Sequence, residues 1–385
     1  GSSCVLGLFR AEPGGIAMRH FAVLVNGPGE LWGWGRPVVK VLKETGNRVD
    51  VILLPCQYAS GSEARLAERL GADRVVPSSS LAGELAFGKA RPNGILQLGG
   101  DLLYGRLLAR RCGSPLFSYS YGPKKGLGAC RGIFTACEAM AGPIRKAAAG
   151  KPVEAIGDLV ADALEMDGGD SPWEKSGSLR VALFPGSRPA IRKKALPFMS
   201  EFLASARKRL PQAEWGVLLS PFCDPGEARD WKEAGFTVSL AGTGVALRDA
   251  DAALTQPGTN TLELMHARIP SVVAVPETFL ADAPSPFLLG PLFSMPGLGP
   301  FLKRSAFQRY LGKKGFLAWP NRLAGKEVFP EVTGRISPAL LAGRFAAYAG
   351  DPGWLEATRA ALGRIDGGPA GAAARLRERI MEFLS

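Results

Sequence analysis

Two histidines, His20 and His266, are all the imidazole this 385-residue chain contains. A His-ligated metal site or a Ser-His-Asp triad needs imidazole brought together with other functional groups, so neither is supported, and no metal or cofactor is expected. The six cysteines, Cys4, Cys56, Cys112, Cys130, Cys137 and Cys223, show no Cys-x-x-Cys spacing. They lie mostly among apolar or small residues and read as reduced core thiols of a cytoplasmic protein. A Gly-x-Gly-x-x-Gly fingerprint in a convincing dinucleotide unit is also missing, which counts against an NAD- or FAD-dependent oxidoreductase. No zinc finger, RNA-binding aromatic signature or long Lys/Arg tract is present, so nucleic acid is not an expected partner. No apolar run reaches transmembrane length without interruption. Cys4-Val-Leu-Gly-Leu-Phe9 is too brief to cross a bilayer or to serve as a signal sequence, and Met18 reads as the natural start, just before the strand-like His20-Phe-Ala-Val-Leu-Val25.

What is present is enough for two α/β domains, because an apolar fraction of 46% can fill two ordinary cores. The net charge of +12, from 47 Lys and Arg against 35 Asp and Glu, favours anionic ligands or an anionic membrane face, or else is a generally basic solubilising surface. From residue 18 to 166 apolar runs alternate with helical stretches, with strands expected at Phe21 to Val25, Val49 to Leu54, Gly94 to Leu98, Leu116 to Tyr119 and Gly132 to Ala136. Such alternation implies a parallel sheet covered by helices. Residues 167–178 are rich in Gly, Asp, Ser and Pro and read as an exposed linker. A second series, residues 179–345, places strands at Leu179 to Phe184, Trp215 to Leu219, Thr237 to Leu240, Ala252 to Thr255 and Ser271 to Val275. Residues 346–385 read as helices that pack back on the first domain or on a partner protomer. The expected fold class is therefore α/β with two Rossmann-like domains.

The most pointed chemistry lies in two loops of the second half. In Leu183-Phe-Pro-Gly-Ser-Arg188 a buried strand enters a turn in which Gly186 lets the backbone approach a ligand and Arg188, beside Ser187, offers a planar fork of donors to phosphate oxygens. In Thr255-Gln-Pro-Gly-Thr-Asn-Thr-Leu-Glu263 the residues Gly258, Thr259 and Asn260 open a helix whose free N–H groups favour an anion, and Glu263 follows one turn later, placed to accept hydrogen bonds from ribose hydroxyls. A nucleotide diphosphate site is the common reading. In the first half, Asp101 of Leu98-Gly-Gly-Asp101 sits just after a strand, at the end where open α/β sheets bind ligands, and is the first candidate for a general base. Glu30, on the loop Val25-Asn-Gly-Pro-Gly-Glu30, is the second. Their bland alternatives are a helix cap for Asp101 and a first-turn dipole partner for Glu30.

Five segments taken in series resemble the lipid A disaccharide synthase family: Gly29-Glu30-Leu31, Gly157-Asp-Leu-Val-Ala-Asp-Ala163, Leu183-Phe-Pro-Gly-Ser-Arg188, Gly258-Thr-Asn-Thr-Leu-Glu263 and Pro320-Asn-Arg-Leu-Ala-Gly-Lys326. The resemblance implies an inverting glycosyltransferase of the GT-B arrangement, two Rossmann-like domains whose parallel sheets face a central cleft. It implies transfer of 2,3-diacylglucosamine from its UDP conjugate to 2,3-diacylglucosamine 1-phosphate, releasing UDP. Ser187 and Arg188 would meet the diphosphate, Thr259 and Asn260 phosphate or sugar, and Glu263 the ribose. Asn321 and Lys326 would reach the donor or a partner protomer, since family members can dimerise by exchanging C-terminal elements. The chain departs from the family pattern at Pro28-Gly-Glu30, Gly99-Gly-Asp101 and Tyr121-Gly-Pro-Lys-Lys125, all on the acceptor side.

Between the last two motifs, Pro286 to Met295 and Phe301 to Lys314 interleave apolar and basic residues. Phe287, Leu288 and Phe293 with Lys303 and Arg304 suit a segment that dips into an anionic headgroup layer and holds the acylated acceptor, which would place the protein at the inner face of a bacterial inner membrane. A buried loop or dimer contact would carry the same residues. Competing functions are another GT-B enzyme acting on a UDP-sugar with a different acceptor, or a noncatalytic nucleotide-sugar or lipid-binding protein.

Overall fold

The computed structural model describes residues 18–56, 63–174, 179–186, 189–220, 223–276 and 315–385. Two parallel sheets organise it. The first has seven strands in the order β3-β2-β1-β4-β5-β6-β7: β1 (His20–Val25), β2 (Arg48–Leu53), β3 (Arg74–Val76), β4 (Gly94–Leu98), β5 (Leu116–Tyr119), β6 (Gly132–Thr135) and β7 (Val153–Ala155). The second has six in the order β10-β9-β8-β11-β12-β13: β8 (Leu179–Leu183), β9 (Ala213–Leu218), β10 (Thr237–Ser239), β11 (Ala252–Thr255), β12 (Ser271–Pro276) and β13 (Glu331–Gly334). Sheets buried on both faces demand continuous apolar strands, and the central ones comply: β4 and β12 are buried at every position.

Ten strands lie where the apolar runs predict them. The other three, β3, β7 and β13, are edge strands of three or four residues carrying Arg74, Glu154 and Glu331, too short and too polar to give a period of their own. They form because a neighbouring strand supplies the hydrogen-bonding edge.

Helices cover both faces of each sheet. Pro189–Arg207 packs its apolar side against Pro338–Ala349 over the second sheet, with Phe202, Trp215 and Phe345 in mutual ring contact at 5.8 to 5.9 Å. The last helix, Ala372–Leu384, returns to the first sheet, where Phe383 meets Phe117 at 5.8 Å and Arg379 pairs with Glu154 at 2.6 Å. The Gly- and Asp-rich stretch read as an exposed linker is anchored at two points: Asp167 is buried, and the buried Trp173 donates from its indole to the Ala246 carbonyl at 2.7 Å. Among the described residues no helix is long and apolar enough to cross a membrane. Phe287, Leu288, Phe293, Lys303 and Arg304, and the segment before Met18, lie outside the described residues, as do Ser187 and Arg188.

Candidate active site in the interdomain cleft

The carboxyl ends of the central strands β1, β8 and β11 lead into turns that meet in a cleft of about 510 Å³ between the domains. Its walls include Pro28, Gly29 and Trp32 from the first domain and Gly186, Gly258, Thr259, Asn260 and Glu263 from the second. The two loops touch closely, since a Cβ built on Gly29 would stand 3.8 Å from the Thr259 hydroxyl. Gly186 has φ of +114°, and a Cβ there would come within 2.8 Å of Ile191, so glycine is what lets this turn fold tightly against its helix. Asn260 donates to the Thr255 hydroxyl, which ties the start of the helix Asn260–His266 to the end of β11.

Three side chains of the cleft carry no motif that would single them out. Arg192, buried, makes a two-pronged pair with Glu227, the Nη2 to Oε2 bond being 2.9 Å. Burial pushes the Glu227 carboxyl up, but the Arg192 hydrogen bonds and charge outweigh it and hold the group below its ordinary value. Arg65 on the helix Glu63–Glu68 is exposed and lines the cleft from the first domain. Finding such residues requires knowing which helices face each other.

Glu263 is half-buried, and that burial pushes its carboxyl up to about 7; the charge of Asp167 adds to the shift while a Thr243 hydrogen bond and Arg36 oppose it. It therefore exchanges a proton near neutrality, and its ionised form accepts hydroxyl donors at the cleft wall.

The two acidic candidates of the first domain do not line this cleft. They stand in a cluster at the ends of β1 and β4, joined to the cleft through Pro28 and Gly29. Asp101 is exposed and accepts from the Leu103 N–H at 2.9 Å, capping the helix Leu102–Cys112. Glu30 is half-buried and accepts from the Gly27 N–H at 3.3 Å. It lies over Gly99, whose φ is +70° and whose Cβ would fall 2.3 Å from the Glu30 carboxylate, so that glycine makes the pocket. Burial raises the Glu30 carboxyl, opposed by the charge of Lys124 and the Gly27 N–H. Burial lowers the Lys124 ammonium in turn, opposed by Glu30 and Asp101, and Lys124 donates to the Gly100 carbonyl at 2.7 Å. A carboxyl raised by burial beside a cation is suited to proton transfer, and Glu30 has that environment.

Asn321 corrects a sequence expectation. Its side chain is fully buried and donates to Phe329 O at 2.8 Å and Glu331 Oε1 at 2.9 Å, while accepting from the Val328 and Phe329 N–H groups at 2.8 and 2.7 Å. All of its capacity is spent tying the helix Trp319–Ala324 to the start of β13, so nothing is left for a donor sugar. Lys326 is exposed beyond that helix and does not line the cleft. His266 reaches the other domain: its Nε2 stands 2.8 Å from Asp158. Asp158 also accepts from the Val160 N–H at 3.0 Å and from the Tyr121 hydroxyl, which in turn accepts from the Trp34 indole at 3.0 Å. Asp167 makes a second bridge, pairing with Arg36 at 2.7 Å and accepting from the Gly244 N–H at 2.8 Å.

Two parallel Rossmann-like sheets facing a cleft define the GT-B fold, and solved structures agree over nearly the whole chain. The glycotransferase of kitacinnamycin superposes with a TM-score of 0.55 at 17% identity, covering 96% of this chain and 100% of its own. The UDP-GlcNAc 2-epimerase from Neisseria meningitidis, solved bound to UDP-GlcNAc, gives 0.57 at 13% identity, covering 94% and 100%. At these identities the likeness shows the fold. In sequence the chain is similar to curated lipid-A-disaccharide synthases: 29% identical over 208 residues to that of Anaeromyxobacter dehalogenans strain 2CP-C, covering 52% of this chain and 48% of the relative, and 26% over 247 residues to that of Geobacter sulfurreducens, covering 61% and 58%. These matches support assignment to the lipid A disaccharide synthase family, and the chain spans about half the length of the curated relatives it matches. No family model matches it.

Proposed function

We propose that this chain is a glycosyltransferase that moves 2,3-diacylglucosamine from its UDP conjugate to 2,3-diacylglucosamine 1-phosphate, with inversion, giving the lipid A disaccharide phosphate and UDP. The observation that carries the reading is the convergence of Gly186, Gly258, Thr259, Asn260 and Glu263 on one wall of a cleft whose opposite wall holds Pro28, Gly29 and Trp32. The name borne by the sequence relatives agrees with a lipid A disaccharide product, and the UDP-GlcNAc held by a structural neighbour agrees with a uridine donor.

In this scheme the cleft wall of the second domain takes the nucleotide, with Glu263 on the ribose hydroxyls and the Gly258 to Asn260 turn, Ser187 and Arg188 on the diphosphate. Glu30 takes the proton of the acceptor hydroxyl as the oxygen attacks the anomeric carbon and UDP departs from the opposite side. Lys124 positions that carboxylate, and Asp101 holds the helix that follows β4. The apolar and basic stretch around Phe287 and Lys303 would bring the enzyme to the acyl chains at the membrane's inner face.

The test is UDP release from UDP-2,3-diacylglucosamine with and without acylated acceptor. Acceptor-dependent release that falls at least a hundredfold in Glu30→Gln, with UDP affinity retained, is expected. Release without acceptor, or full turnover in Glu30→Gln, defeats the assignment.

A further inference from the structure

A second cavity, of about 620 Å³, opens at the seam between the domains and shares none of the residues that line the donor cleft. Its walls come from the helix Leu159–Glu165 of the first domain, from the helices Thr243–Leu247 and Asn260–His266 of the second, and from Arg359 on the helix Pro352–Leu362. Three arginines line it, Arg248, Arg268 and Arg359, against one acidic residue, Glu165.

Arg268 is the informative one. The helix Asn260–His266 ends in a Schellman turn, with the Arg268 N–H bonded to Met265 O at 3.0 Å and the Ile269 N–H to Leu264 O at 2.9 Å. The turn requires a left-handed residue, and Arg268 supplies it with φ of +56°, where glycine is the ordinary occupant. An arginine held there against its backbone preference points to a use for the side chain. Among the described residues no structural partner accounts for it. The guanidinium lies over Gly363, whose Cβ would be 3.6 Å from its central carbon, and no ion pair or side-chain hydrogen bond engages it among the described residues. Arg248 and Arg359 spend their bonds chiefly on the main chain, on Asp167 O at 2.5 Å and Asp251 O at 2.9 Å, with the Asp251 carboxylate no closer to Arg359 than 3.7 Å. Carbonyl oxygens leave most of a guanidinium's charge uncompensated.

We propose that this cavity is a second anion site that takes a phosphate group, with Arg268 as its principal donor and Arg248 and Arg359 beside it. Planar guanidinium forks match phosphate oxygens better than a point charge does. Because the walls come from both domains, an occupant favours the arrangement in which they meet. The site stands independently of the glycosyltransferase reading, and its phosphate belongs either to a soluble ester or to a lipid headgroup.

Calorimetric titration of the full chain with inorganic pyrophosphate, without sugar donor, tests it. Binding that weakens at least tenfold in Arg268→Gly, at an undiminished melting temperature, is expected, since glycine relieves the backbone while removing the donor. Arg359→Gln, outside the turn, should weaken it severalfold and serves if the glycine variant is unstable. Pyrophosphate bound in the donor cleft is recognised by its survival in both variants. Sedimentation with phosphatidylcholine vesicles, with and without phosphatidylglycerol, separates the sources: Arg268-dependent sedimentation without pyrophosphate binding assigns the headgroup. If both variants titrate and sediment as the wild type does, or if neither probe binds, there is no such site.

Discussion

At the scale of single residues, the structure separates side chains that face the cleft from those that build it. Glu263 belongs to the first kind. Its folded carboxyl titrates near 7, above the ordinary 4.5, so between those values the folded chain holds a proton that the unfolded chain has released. Its contribution to stability is therefore complete below the unfolded value and is lost as pH rises through about 7. Glu263→Gln should exceed the wild type in stability by about 1 kcal/mol at alkaline pH, after screening at this half-exposed site, with the advantage vanishing in mild acid. Denaturant titrations on both sides of neutrality check this, and an advantage that does not change with pH would refute it. Asn321 belongs to the second kind. Asn321→Ala strands two N–H groups and a carbonyl in the interior and should cost about 3 kcal/mol, read as a lowered unfolding midpoint, with UDP affinity unchanged in the folded fraction. Both residues lie in segments that the sequence singled out, but only the saturation of all four Asn321 hydrogen bonds reveals its role.

At the scale of elements, the strands were the most legible part, because a strand buried on both faces writes its position as a run of Val, Leu, Ile and Phe. The edge strands β3, β7 and β13 were not, since the partner strand and not the local pattern makes them. The segment Gly157 to Ala163 shows a different limit. Its Asp158 joins the helix start to Tyr121 and His266, while Asp162 accepts from the N–H groups of Gly371, Ala372 and Ala373 at 3.1, 3.1 and 2.6 Å, capping a helix that begins some two hundred residues later. No local signal could pair them. Asp162→Ala should cost about 1 to 2 kcal/mol and raise amide exchange in the first turn of Ala372–Leu384 ahead of the remainder of the chain. Uniform loss of protection instead would mean that the cap does not hold that helix.

At the scale of the whole molecule, two buried acids hold the domains in register. Asp167 ties Arg36 of the first domain to Gly244 of the second, and Asp158 ties Tyr121 to His266. Breaking a buried ion pair leaves its partner charge uncompensated. Asp167→Asn should thus lower stability by about 3 kcal/mol, and by removing a neighbouring negative charge it should also bring the Glu263 titration down, visible as a shift in the pH dependence of UDP binding. An unchanged midpoint and profile would separate Asp167 from both roles.

The sequence by itself determined two α/β units in order, the strands at their centres and the Pro-Gly turns at Gly186 and Gly258, because apolar runs and turn residues act over a few positions. Tertiary structure alone decided that the turns face Gly29 across one cleft, that burial raises the Glu30 carboxyl, that Asn321 is a fastening, and that three arginines share a second cavity. Burial and charge proximity arise from residues distant in the chain, and only the folded arrangement sums them.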